Sequence, residues 1–201
     1  MKVTGYEKTI GTYWSNLFHK QNLSSKGTVV EVAPGDTLKI GYGLAQYGFC
    51  GTYYIIEPVL SVLRQVASSY KELMPHATFI PLPYKLKASI RFLPSNISMM
   101  VANHALDDML VGEALKERAF QKLFTNHYHA PADLTKRVWE QITHSGRIEE
   151  YMQKVIASWK ELNTKQIGST HIHQYDSYFF KQNGIQEPDY YATLLHRRLK
   201  W

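Results

Sequence analysis

Short apolar runs alternate with stretches whose apolar residues recur every three or four positions, and this alternation organises the first half of the chain. Residues 28–33 (TVVEVA) form a β-branched run stopped by Pro34 and Gly35, which predicts a buried strand and a sharp turn. Residues 52–56 (TYYII) repeat the pattern and end in Glu57 and Pro58. Residues 77–80 and 97–102 (ISMMVA) predict a third and a fourth strand, the latter closed by Asn103 and His104. Between the first two runs, Leu38, Ile40, Leu44, Ala45 and Tyr47 mark an amphipathic helix, with Asp36 or Thr37 as its cap. Leu60, Leu63, Val66, Ala67 and Tyr70 mark another, and a helix is expected around residues 84–92.

The flanks read differently. Tyr6, Ile10, Tyr13, Trp14, Leu17 and Phe18 have helical spacing, so residues 1–27 are expected to form a helical segment that covers the sheet or the mouth of a site. Residues 106–124, 132–142 and 148–162 are helical in pattern, and 106–165 is expected to be a helical insertion or cap. A weak fifth strand is expected at 168–175 and a last helix at 188–201. Repeated strand-helix steps predict one α/β domain over residues 28–201, with a mostly parallel sheet flanked by helices. In such sheets ligands bind beyond the carboxyl ends of the strands, where the strand order reverses. Residues just after each strand are therefore the candidates for chemistry.

The first of these turns reads Glu31, Val32, Ala33, Pro34, Gly35, Asp36. A glycine there lets a ligand approach the backbone, and Glu31 is placed to hold an amino group or to order the loop. The second strand ends in Glu57, and an acid at that tip commonly accepts hydrogen bonds from ribose hydroxyls. The other reading of Glu57 is a cap on the helix that follows Pro58. Positions 33–38 read A-P-G-D-T-L rather than G-x-G-x-x-G, which disfavours a dinucleotide and its pyrophosphate. After the fourth strand, His104, Asp107 and Asp108 are candidate bases. Their plainer readings are a loop histidine and first-turn acids stabilised by a helix dipole.

With EVAPGD, LKIGYGLAQYGFCGTYYIIEP and MMVANHALDDM in this order, the segment from Thr28 to Glu113 resembles the first, second and fourth motifs of class I S-adenosylmethionine-dependent methyltransferases. The resemblance implies a Rossmann-like fold and S-adenosyl-L-methionine as cofactor. It implies that Glu31, Ala33, Pro34, Gly35 and Asp36 lie along the methionine part and that Glu57 binds the ribose. Pro81 or Leu82 would flank the adenine, and Asn103 and His104 would sit beside the sulfonium. The expected activity is methyl transfer to an unassigned acceptor, with His104, Asp107 and Asp108 as the catalytic candidates. Ala33 stands where the family often has Gly, and no D/N-P-P-Y motif is present. Both departures leave open a binding protein of this fold that transfers nothing, with a dinucleotide-dependent oxidoreductase further behind. The family's sheet usually has seven strands, so the shorter count implies missing C-terminal strands or an edge paired in a homodimer.

Composition narrows the partners. The formal charge of +6 permits nucleic acid, but the basic residues are scattered and such a partner is not favoured. The lone cysteine, Cys50, excludes an intrachain disulfide and favours a reducing cytoplasm. No apolar run is long enough to span a membrane. The pairs His127/His129 and His171/His173 lack the third and fourth ligands that a metal needs, so no metal is expected. Tyr175, Tyr178, Phe179 and Phe180 read as core or interface rather than as an acceptor pocket.

Overall fold

The computed structural model describes residues 3–125, 132–165, 170–174 and 186–199. Strands β1 (Thr28–Val32), β2 (Thr52–Ile56), β3 (Thr78–Leu82), β4 (Met99–Asn103) and β5 (Thr170–Gln174) make one five-stranded sheet in the order β3-β2-β1-β4-β5. Every neighbouring pair is parallel. The chain is thus an α/β protein with a Rossmann-like sheet. Its order runs outward from β1 to β3, then returns to place β4 on the other side of β1. That reversal is the switch point at which the two central strand tips diverge.

The helices are α1 (Gly5–Lys20), α2 (Lys39–Tyr47), α3 (Leu60–Leu73) and the single turn α4 (Leu86–Ser89), which runs into a 3₁₀ turn (Ile90–Phe92). Then come α5 (Leu106–Ala114), α6 (Glu117–Thr125), α7 (Ala132–His144), α8 (Ile148–Lys165) and α9 (Glu187–Leu199). Right-handed crossovers put α2 and α3 on one face of the sheet. There α1 packs on α2 and α2 on α3. On the opposite face α8 packs against α4, α5 and α9. Every residue of β4 is buried, as are Val29, Val30, Glu31 and Val32 of β1, because a central parallel strand is covered on both faces.

Three sequence expectations are corrected. The cap of α2 is neither Asp36 nor Thr37: the helix starts after Leu38, whose amide donates to Glu7 Oε1 of α1 at 2.7 Å. The other oxygen of Glu7 accepts from the Thr4 amide at 2.7 Å within the capping box of α1, so one buried carboxylate serves the starts of two helices. The third strand lies further along than residues 77–80 and takes in Pro81, which an edge strand tolerates because one side of its ladder is unpaired. The helix expected over 106–124 is broken between Ala114 and Glu117 into α5 and α6.

The expected fifth strand is present as β5, joined in parallel to β4. His127, His129, Tyr175, Tyr178, Phe179 and Phe180 lie outside the described residues. Among the described residues, no helix is long and apolar enough to cross a membrane.

Candidate functional site

The tips of β1, β2 and β3 are held side by side by ladder bonds that continue past the strands. The Ala33 amide donates to Ile56 O at 2.8 Å, and the Glu57 amide to Leu82 O at 3.2 Å. Beyond β1 the chain turns sharply, with Thr37 Oγ1 donating back to Pro34 O at 3.1 Å. Gly35 takes φ +61°, a value glycine reaches without steric cost. Ala33 at φ +50° and His104 at φ +57° occupy the same left-handed region with side chains attached. That costs roughly 1–2 kcal/mol for each residue. The strain thus falls at the tips of β1 and β4, the two strands that flank the switch point.

Glu57 stands at the tip of β2, next to that of β1. Its Oε1 accepts the Val59 amide at 2.9 Å, just ahead of α3, and the Gly35 amide is a second donor to the same carboxylate. Burial pushes its carboxyl up to about 7, and the two backbone amides oppose that rise. The helix expected to start at Pro58 starts at Leu60 with Val59 as its N-cap residue, so Glu57 holds the amide of that residue rather than capping the first turn, and it also lines a cavity.

That cavity holds about 680 Å³ of empty space when the open solvent at its mouth is counted. Its floor is Val32, Ala33, Gly35, Ile56 and Glu57. One wall is Pro58, Val59 and Val62, and a second is Lys85, Leu86 and Lys87. The helical face closes it with Asp108 and Gly112 of α5, Phe120 and Phe124 of α6 and Ser158 of α8. Most of this surface is apolar, and carboxylates gather at Glu57, Asp108 and Glu113. Asp108 has its carboxyl pushed well up by burial and by the neighbouring Asp107 and Glu57, with His104 opposing.

Of the residues singled out from sequence, Ala33, Gly35, Glu57 and Asp108 line the cavity. The others lie elsewhere. Glu31 is buried beneath α2 and α3, where its Oε2 accepts Tyr53 Oη at 2.5 Å and Tyr70 Oη at 2.9 Å. Burial pushes its carboxyl up to about 7, against the pull of both tyrosines. Pro34 is buried in the turn, Asp36 is half-buried, Pro81 is exposed on β3, and Leu82 is buried beside Ile56.

Asn103, His104 and Asp107 form a second small group at the tip of β4. Asn103 Oδ1 accepts Trp14 Nε1 of α1 at 3.2 Å, while its Nδ2 has no hydrogen-bond partner. His104 Nε2 lies 3.3 Å from Asp107 Oδ2. Asp107 is only 1% exposed, and neither of its oxygens has a hydrogen bond. Asp107 and Asp108 do occupy the first turn of α5, the placement that a helix dipole favours.

Sequence reasoning did not anticipate Lys85, Leu86, Phe120 or Phe124 as wall residues. Lys85 Nζ reaches Gly112 O at 2.5 Å and sits 5.2 Å from the centre of the Phe120 ring, tying the β3–β4 connection to α5 and α6. The strong amphipathic pattern of residues 117–125 was the signal available for the two phenylalanines, but it says only that a face is buried, not against what.

No protein-family model matches the sequence, and no curated protein matches it. Among solved structures the chain is similar to PH0851, at 12% sequence identity and a TM-score of 0.48. The match covers 92% of this chain and 36% of that one, so the chain spans about a third of that protein's length. A likeness this loose carries no argument about activity.

Proposed function

We propose that the cavity binds S-adenosyl-L-methionine and that the protein is a methyltransferase of unassigned acceptor. One observation carries the reading: the Gly35 amide and the Glu57 carboxylate meet at the floor of a largely apolar cavity beyond β1 and β2. A nucleoside needs that combination. The carboxylate accepts from its ribose hydroxyls, and flat apolar walls such as Val59, Leu86 and Phe120 receive its base. The turn carries no pyrophosphate fingerprint, which favours a cofactor without one.

When bound, the cofactor would supply an activated methyl group. The chain's own part is to orient acceptor and cofactor and to keep water out, and such positioning supplies most of the acceleration in reactions of this kind. His104, 3.3 Å from Asp107, is the candidate base for an acceptor that must lose a proton. Asp108 is an acid on the cavity wall, together with Glu57 and Glu113.

A second reading, a binding protein of the same fold that transfers nothing, is favoured by one specific observation: His104 and Asp107 are not among the residues that line the cavity.

Isothermal titration of S-adenosylhomocysteine against NAD tests the cofactor. Saturable binding of the former and none of the latter is the expected result, and NAD binding alone overturns it. Methylated product across a panel of acceptors then separates the enzyme from the binder.

A further inference from the structure

The connection between β3 and β4 combines basic residues with two exposed, mutually stacked aromatic rings. No Asp or Glu occurs between Glu72 and Asp107, while Lys85, Lys87 and Arg91 all fall there. Lys85 is turned inward onto Gly112 and Phe120. Lys87 and Arg91 are exposed, and among the described residues no carboxylate pairs with either.

In sequence these two cations are flanked by two large aromatic side chains that the core does not take in. Tyr84 is 39% and Phe92 43% exposed, and their rings stack with centroids 5.2 Å apart and planes 17° from parallel. The Arg91 guanidinium sits 4.6 Å from the centre of the Phe92 ring. The result is a layered arrangement of guanidinium, phenyl and phenol on the outside of the molecule. The single turn α4 carries it. Ser89 Oγ donates to the carbonyls of Tyr84 and Lys85, fixing the turn, and Leu86 and Ile90 anchor it in the core.

We propose that this connection is a docking surface for single-stranded nucleic acid. Nucleobases extend an aromatic stack, and they do so with little regard to sequence because every base has a π face. Lys87 and Arg91 supply the cations that a phosphate backbone displaces counterions to reach. A duplex keeps its bases stacked inside and cannot use the rings in this way. Lys87 also lines the cavity, so a strand on this surface passes the cavity mouth. The claim concerns binding and stands whether or not the cavity transfers a methyl group.

The test is fluorescence anisotropy of a labelled single-stranded RNA of about 12 nucleotides, a length within the usual range for one such platform. The full chain is titrated at salt from about 50 to 200 mM, where phosphate contacts weaken steeply. A duplex of the same length and phosphatidylserine vesicles are run in parallel. Saturable binding to the single strand is expected, at least tenfold weaker in the double variant Tyr84→Ala/Phe92→Ala. In Lys87→Gln/Arg91→Gln the slope of log K against log salt is expected to shrink by about 1.4, the share of two single-strand phosphate contacts. Thermal melting confirms that both variants are folded, and Tyr84→Leu/Phe92→Leu replaces the aromatic pair if the alanines are not. The proposal is overturned by any of three results: no saturable binding at the lowest salt, equal affinity for the duplex, or vesicle binding that depends on the aromatic pair while the RNA does not bind.

Discussion

Glu31 and Glu57 are the same residue type on neighbouring strands, both are buried, and burial lifts both carboxyls to about 7. Their surroundings are opposite. Glu31 ends on two tyrosine hydroxyls beneath α2 and α3, a side-chain network in which each hydrogen bond joins one element to another. Glu57 is held by backbone amides, one of them from the glycine turn, and it faces a cavity. A displaced pKa therefore does not distinguish a structural acid from a binding acid. The identity of the partners does. Side-chain hydroxyls from the core make a closed network, whereas amides at strand tips hold a carboxylate in place beside a cavity.

The comparison is sharpened most by pH. Each carboxyl rises from about 4.5 in the unfolded chain to about 7 in the folded one. Between those values the folded chain holds more protons than the unfolded chain, so stability falls as pH rises through that window and levels off above it. The expected fall is up to about 3 kcal/mol for each group. Urea denaturation at pH 5 and pH 8 measures it, and Glu31→Gln and Glu57→Gln should each remove one share.

Glu31→Ala should cost about 3 kcal/mol in the same denaturation measurement, because two buried tyrosine hydroxyls lose their acceptor. The folded fraction should still bind S-adenosylhomocysteine normally. Glu57→Ala should cost some stability too, since the Val59 and Gly35 amides lose their acceptor, but its distinguishing effect is on affinity for S-adenosylhomocysteine, reduced more than about 100-fold, the worth of two hydrogen bonds to a charged group. Equal effects of the two substitutions on affinity would erase the distinction between them. The smallest expected effect is that of Ala33→Gly. Removing the methyl group relieves left-handed strain worth about 1–2 kcal/mol, and the greater freedom of the unfolded chain offsets part of that gain. Net stabilisation of under about 1 kcal/mol is expected, read as a small rise in melting temperature.

The sheet was largely legible in the sequence because buried parallel strands are continuous apolar runs. TYYII matches β2 residue for residue, and TVVEV is β1 within the expected run. Register and strand order were not legible, since nothing local in ISMMVA says that it pairs with β1 rather than β3. The cavity was half legible. Gly35 and Glu57 follow from their positions at strand tips, whereas Phe120 and Phe124 approach it through the packing of α6, which no spacing encodes. Glu31 shows the limit most sharply. Its partners Tyr53 and Tyr70 lie 22 and 39 positions away, and an acid in a strand reads the same from sequence whether it meets a ligand or a hydroxyl. The cap of α2 was missed for the same reason, since Glu7 reaches it from another helix.

The crossing of α1 and α2 leaves no room for a side chain at Gly11 or Gly43. A methyl group placed on Gly43 would stand 2.7 Å from the Gly11 carbonyl and from Trp14 Cβ, and one on Gly11 would stand 2.6 Å from the Tyr42 ring. A side chain at either glycine would push the two helices apart. The indole of Trp14 grips Asn103 at the far end of the sheet. The seat of α1 on α2 and the hold on the tip of β4 thus rest on the same helix.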